Sequence, residues 1–169
     1  MMRSWAVFDP PIQDGLHTMK YRRNLGFGES IAIQMMGFVR SLCWPIEMLV
    51  PVPLGKKRLK ERGYNQVGLV ARPLAYQMGW RYVPRALWKT RDTRSQVGLN
   101  LSQRRENVQN AYQADPQVVK RRSVLIMDDV ATTGATILAC SEALLSAGAQ
   151  KVYVLTIARA LPHHGLDRV

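Results

Sequence analysis

Four consecutive apolar residues, Val124, Leu125, Ile126 and Met127, run without polar alternation and are followed at once by Asp128 and Asp129. Such a run is buried on both faces, as in a central strand of a parallel sheet. Residues 137–147 contain few helix breakers and predict a helix that Gly148 ends. Residues 47–52 read as a second buried strand, bounded by Pro51 and Pro53, and 151–158 as a third. The first eleven residues look extended, and the spacing of Ile12, Leu16 and Met19 suits a short amphipathic helix ending at Tyr21. A basic turn over 21–28 then leads into a helix from Glu29 to about Cys43, closed by Pro45. Another helix is expected over 64–78, kinked or broken at Pro73 and stopped at Gly79. Residues 81–88 look like a strand that Pro84 confines to a sheet edge. Residues 54–63 and 89–100 read as two basic loops, 101–110 as a short helix, and 111–114 as a strand leading to a turn at Asp115-Pro116.

Strands alternating with helices in this way predict an α/β fold with a mainly parallel twisted sheet and helices on both faces. Ligands in such sheets bind beyond the carboxyl ends of the strands. The central strand here ends in Asp128, Asp129, Val130, Ala131, Thr132, Thr133, Gly134, Ala135 and Thr136. Amides of that turn and the positive end of the following helix would face an anion. Thr132, Thr133 and Thr136 can donate hydrogen bonds to phosphate oxygens, and Gly134 lets the backbone approach closely. Asp128 and Asp129 accept hydrogen bonds only, which suits sugar hydroxyls, met directly or through a divalent cation. The plainer reading is an ordinary strand with two capping acids. A P-loop is excluded, because Lys56 after Gly55 is followed by Lys57 rather than Ser or Thr.

Composition narrows the partners. A chain of 169 residues suits one domain with a sizeable core, and its formal charge of +12 suits anionic ligands, nucleic acid or an anionic membrane surface. Cys43 and Cys140 are far apart and in apolar contexts, which predicts two reduced, buried thiols in a cytoplasmic protein. The apolar run 31–39 is too short to span a bilayer. His17, His163 and His164 show no metal-ligand spacing, and no metal site built from protein side chains is expected.

The stretch 124–136, a hydrophobic strand followed by two acids and a Thr-Thr-Gly-x-Thr loop, resembles the PRPP-binding signature of type I phosphoribosyltransferases (PRPP is phosphoribosyl pyrophosphate). The order of the loops 53–63, 89–100 and 128–136 also resembles theirs: a pyrophosphate loop, a mobile catalytic loop and the PRPP loop. Pro51-Val52-Pro53-Leu54-Gly55-Lys56 with Arg62-Gly63-Tyr64-Asn65-Gln66 looks like the ComF/GntX branch of that family. The resemblance implies a PRPP-binding core over 46–160, with a small N-terminal helical hood over 1–45 and a tail over 161–169. It implies that residues 128–136 hold PRPP, with Asp128 and Asp129 also catalytic. Pyrophosphate would meet Leu54, Gly55, Lys56, Arg58 and Arg62, and a flexible loop carrying Arg91, Thr93, Arg94, Ser95 and Gln96 would close on it, Arg94 taking a catalytic part. The implied cofactor is magnesium, bound mainly through PRPP.

If catalytic, such a protein displaces pyrophosphate from PRPP by a nitrogen nucleophile whose identity the sequence withholds. ComF relatives are associated with natural competence, so the alternative is a non-catalytic PRPP-binding module that meets single-stranded DNA and competence or transport proteins. Lys56 to Arg62, Arg22-Arg23, Arg104-Arg105 and Lys120 to Arg122 would supply the phosphate contacts. A PRPP-sensing regulator is a third reading. A glutamine amidotransferase is disfavoured, since its nucleophile would be an N-terminal Cys and this sequence starts Met1-Met2. Family members usually begin with a Cys-rich zinc ribbon; no such cysteines precede Tyr21, as expected of a short member or of a piece without its upstream module.

Overall fold

In a computed structural model of the chain, which describes residues 1–22, 25–91 and 110–161, the apolar run is the centre of strand β6 (Ser123–Ala131). Strand β7 (Lys151–Arg159) lies on one side of it and β2 (Met48–Pro51) on the other. With β1 (Met2–Val7) and β3 (Arg81–Tyr82) at the edges, they form a five-stranded sheet in the order β1-β7-β6-β2-β3. Every pairing in that sheet is parallel. Residues 1–45 therefore contribute an edge strand to the main sheet as well as helices.

Side chains on a strand alternate between faces, and β6 feeds two cores in this way. Leu125 and Met127 pack among residues of α1 (Pro10–Tyr21), α2 (Leu25–Ser41) and α4 (Gln66–Met78). Val124 and Ile126 face the opposite side. That side is covered by α6 (Ala135–Ser146), by an antiparallel pair of β4 (Leu87–Lys89) and β5 (Tyr112–Ala114), and by the short helix α5 (Pro116–Val119). Helices lie on both faces of a parallel sheet, which is the fold class expected. Among the described residues no helix is long and apolar enough to cross a membrane.

Several local expectations are corrected. Residues 54–63 are not all loop: Lys56–Arg62 form helix α3, which buries no side chain. The expected strand 81–88 divides at Pro84 into β3, an edge strand of the main sheet, and β4 of the second sheet. Helix α2 starts at Leu25, ahead of Glu29, and Pro10 opens α1 instead of closing the extended segment. Proline fits there because the first turn of a helix has no carbonyl to offer its missing N–H. The Asp115-Pro116 turn grows into α5, with the Asp115 carboxylate accepting from the Gln117 amide at 2.8 Å. Cys140 is buried, but Cys43 is exposed, a left-handed residue (φ 47°) just beyond α2. Residues 101–109 of the expected helix 101–110 lie outside the described residues, and Asn110 is a left-handed turn residue (φ 55°).

Helix α4 runs through Pro73 without a break. A proline at that position leaves the carbonyl four residues back, Leu69, without its helical donor. That carbonyl sits where α2 crosses at Gly28: a Cβ on Gly28 would lie 2.6 Å from the Leu69 oxygen and 2.9 Å from its carbonyl carbon. The close approach of two backbones therefore requires glycine. Gly28→Ala should destabilise the protein by roughly 1–3 kcal/mol in urea unfolding, and an unchanged midpoint would show that the helices separate freely.

Candidate functional site

The site begins where β2 stops. Pro51 pairs with Met127 as the last residue of β2. Val52 still donates to the Met127 carbonyl at 2.8 Å, but Pro53 has no N–H to continue the ladder. Among the described residues, β6 beyond Met127 is paired on one side only, by β7, with Asp128 opposite Thr156, Val130 opposite Ala158 and Ala131 opposite Arg159. The acid pair thus sits on a half-paired strand end, flanked by the 52–55 segment leaving β2.

Alternation turns the two side chains toward opposite faces of the sheet, while their carboxyls stay in hydrogen-bond contact with each other. Asp129 turns to the side of α1 and α4. Its Oδ1 accepts from the Val130 amide at 2.8 Å, and its Oδ2 accepts from Gln66 Nε2 at 3.1 Å with Lys20 Nζ at 3.5 Å. Asp128 turns to the side of α6 and β5, where its charge is felt by Tyr112 and Cys140. Its Oδ1 accepts from the Asp129 amide at 2.9 Å. Burial, and then the neighbouring Asp129 charge, push the Asp128 carboxyl well above the usual carboxylate range. The buried Cys140 thiol is pushed up by burial first and by Asp128 second. The Tyr112 hydroxyl is also raised, chiefly by burial, and it is hydrogen-bonded with Thr136.

After Ala131 the chain turns through Thr132, Thr133 and Gly134 into α6. Gly134 precedes the helix in a left-handed conformation (φ 75°), and a Cβ built on it would meet nothing within 4 Å. The Thr133 hydroxyl accepts from the Ala135 amide at 3.4 Å, and the Gly134 carbonyl accepts from Leu138 at 2.9 Å. Among the described residues no acceptor engages the amides of Thr132, Thr133 and Gly134. Unengaged amides beside the positive end of a helix dipole favour an anion.

The other predicted residues fall as follows. Leu54 and Gly55 lead from β2 into α3, where Gly55 is the residue before the first turn and its carbonyl accepts from Leu59 at 2.9 Å. Lys56 and Arg58 are exposed, and the Arg58 charge reaches Tyr112 across the site. Arg62 is turned to Gln66, donating from Nη1 to its Oε1 at 2.9 Å. Arg91 is exposed just beyond β4, whereas Thr93, Arg94, Ser95 and Gln96 lie outside the described residues. The structure brings the 128–136 and 54–58 segments to one end of adjacent strands. It also adds Lys20, Gln66 and Tyr112, which the sequence reading did not place at the site. Gln66 was visible only as the last letter of the Arg-Gly-Tyr-Asn-Gln motif, and Lys20 and Tyr112 carried no signal. A shallow groove of about 460 Å³, lined by Trp88, Tyr112, Pro116, Ala143 and Ala147 among others, follows the far half of α6 and shares Tyr112 with the site.

Comparison with known proteins places this geometry in a family. A family model described as "Phosphoribosyl transferase domain" matches residues 66–167. "DNA utilization protein YhgH" of Salmonella typhi is 31% identical over 163 residues, covering 94% of this chain and 71% of that protein. "Competence protein F" of Haemophilus influenzae is 33% identical over 116 residues, 68% of this chain and 51% of that one. The chain belongs to the ComF family of phosphoribosyltransferase-type proteins. The fold of this ComF-family chain is also that of a solved adenine phosphoribosyltransferase from Giardia lamblia, complexed with 9-deazaadenine. The two share 17% identity at a TM-score of 0.51, over 87% of this chain and 83% of the other. In the ComF-family chain the family match begins at Gln66 and includes all of β6, its acids and the turn into α6.

Proposed function

We propose that this chain binds PRPP, with the 5′-phosphate on the amides of Thr132 to Gly134 and the ribose hydroxyls at Asp128. The phosphoribosyl group would then pass to a nitrogen nucleophile with release of pyrophosphate. The observation that carries this reading is the set of amides of Thr132, Thr133 and Gly134 that no acceptor among the described residues engages, with no atom of the described residues along the Gly134 Cβ direction within 4 Å and a desolvated carboxyl at the strand end. In the reaction the nitrogen attacks the anomeric carbon, the bond from that carbon to the pyrophosphate oxygen breaks, and the electron pair leaves with pyrophosphate. The nucleophile's proton passes to solvent.

Two carboxylates are too few for a protein-only magnesium cage. The residues fit an ion that arrives on the ligand's pyrophosphate, beside the cationic Lys56, Arg58 and the rest of α3. Bound there, magnesium would neutralise charge on the departing pyrophosphate. The chain's own part is to grip the phosphate by amides and to orient the ribose from one side. The test is calorimetric titration with PRPP and magnesium, followed by pyrophosphate-release assays over a panel of bases and amines. Binding with turnover on one acceptor class supports the whole reading; absence of binding contradicts it.

One observation favours a second, compatible reading. Helix α3 presents Lys56, Lys57, Arg58 and Lys60 as exposed side chains, so their charge is available to a polyanion. Relatives of this chain are named for DNA utilization and competence. Single-stranded DNA should then bind with a log–log salt slope of about −0.7 per neutralised phosphate. Replacing Lys56, Lys57 and Lys60 by Gln should flatten the slope by about 2. A slope that stays the same in the triple variant excludes α3 as the DNA contact.

A further inference from the structure

The segment Arg62 to Gln66 joins four parts of the fold at the acid pair, and each side chain in it has a partner. Tyr64 donates its hydroxyl to the Met19 carbonyl at 2.7 Å, pinning the last turn of α1. Asn65 caps α4 by accepting from the Val67 amide at 3.1 Å, and its Nδ2 donates to the Val52 carbonyl at 2.9 Å, tying α4 to the exit of β2. Gln66 is only 4% exposed, a rare degree of burial for an amide side chain. It is oriented at both ends: Arg62 Nη1 donates to its Oε1 at 2.9 Å, and its Nε2 donates to Asp129 Oδ2 at 3.1 Å. Lys20, carried on the turn that Tyr64 pins, reaches the same Asp129 oxygen at 3.5 Å.

The consequence is that two adjacent, mutually hydrogen-bonded acids are held differently. Asp129 has both oxygens engaged, by the Val130 amide and by the Gln66–Lys20 pair. Asp128 has no cation at hydrogen-bonding distance among the described residues. The charged groups around Asp129 are Lys20 from α1, Arg62 from α3 through Gln66, and Asp128 beside it on β6. Helix α4 offers only the neutral amide of Gln66.

We propose that Gln66 and Lys20 are positioning residues that fix the Asp129 carboxylate, and through it the adjoining Asp128 carboxyl, for the sugar of a bound sugar diphosphate. The inference rests on the proposed function, since it assigns roles within that site. Gln66 acts through its orientation: Arg62 fixes which end of the amide is the donor. A glutamate of the same size keeps the Arg62 bond but replaces the donor facing Asp129 by an acceptor.

The experiment is titration of the full chain and its variants with PRPP and magnesium, at about pH 7.5 and about pH 5.5, each compared with wild type at the same pH. In Gln66→Glu two carboxylates face each other near 3 Å and cannot both be ionised at low cost. Affinity should fall about tenfold at the higher pH and recover to within about threefold at the lower, where a shared proton restores the donor. Lys20→Met should weaken binding by up to about fivefold, and Lys20→Arg should restore it. Equal affinity of Gln66→Glu and wild type at both pH values overturns the proposal. So does a loss of the same size at both, because a merely structural role has no reason to titrate. If Gln66→Glu does not fold, the Lys20 pair decides: loss with rescue supports the proposal, and Lys20→Met binding like wild type overturns it. A wild-type chain that binds no PRPP overturns the proposed function and this inference together.

Discussion

Replacing Asp128 by Asn should make the ligand-free protein more stable near neutral pH while weakening its binding of PRPP by about ten- to a hundredfold. The two effects have one cause. Burial and the adjacent Asp129 raise the Asp128 carboxyl above its ordinary value in the folded state, so the folded protein holds that proton to higher pH than the unfolded chain does. As pH rises from the ordinary carboxylate range through the raised folded value, the unfolded state releases the proton first, and stability falls across that window. The uncharged asparagine escapes the penalty but offers ribose one oxygen and no charge. Thermal unfolding at several pH values checks the first half: the variant's advantage should shrink toward acid pH, where wild-type Asp128 is protonated in both states. Calorimetry checks the second. A variant that is less stable and binds normally would mean that the carboxylate serves the fold.

The second large effect is at Gly134. This residue has φ 75°, and no atom of the described residues lies along its Cβ direction within 4 Å. Gly134→Val should cost about 1–2 kcal/mol, because a β-branched residue resists the left-handed region. Gly134→Asn should cost much less, since asparagine visits that region readily. Both side chains would project into the space beside the Thr132 to Gly134 amides, so both variants should lose roughly a hundredfold or more in PRPP affinity. Urea unfolding and ligand titration on the same samples separate the backbone cost from collision with the ligand. Tight binding by Gly134→Asn would place the phosphate elsewhere.

How much of this was legible in the sequence differed from one element to the next. The four-residue apolar run announced a doubly buried strand because both faces of β6 meet protein, and that also predicted parallel neighbours. The acids and the threonine-rich turn were readable because their chemistry is local. Helix α3 was not: its Lys, Arg, Leu and Glu residues are good helix formers, but with no side chain buried there is no apolar stripe to reveal the period. Gly55 and Gly63, taken as loop residues, in fact bracket that helix, and Gly63 closes it in the left-handed conformation with φ 73°. Pro73 suggested a break because a proline lacks the helical donor, yet α4 continues through it, and its packing against α2 at Gly28 and Leu69 involves residues far apart in sequence. The different environments of Asp128 and Asp129 were hidden for the same reason. Adjacent identical residues look equivalent until the pleat sends one toward Lys20 and Gln66 and the other toward Tyr112 and Cys140.

The most direct measurement is a crystal structure of the chain grown or soaked with PRPP and magnesium. The expected result has the 5′-phosphate on the backbone amides of Thr132, Thr133 and Gly134, a ribose hydroxyl on Asp128, and Asp129 still held by Gln66. Ligand density at another surface, or a phosphate-free turn at saturating ligand, would contradict it.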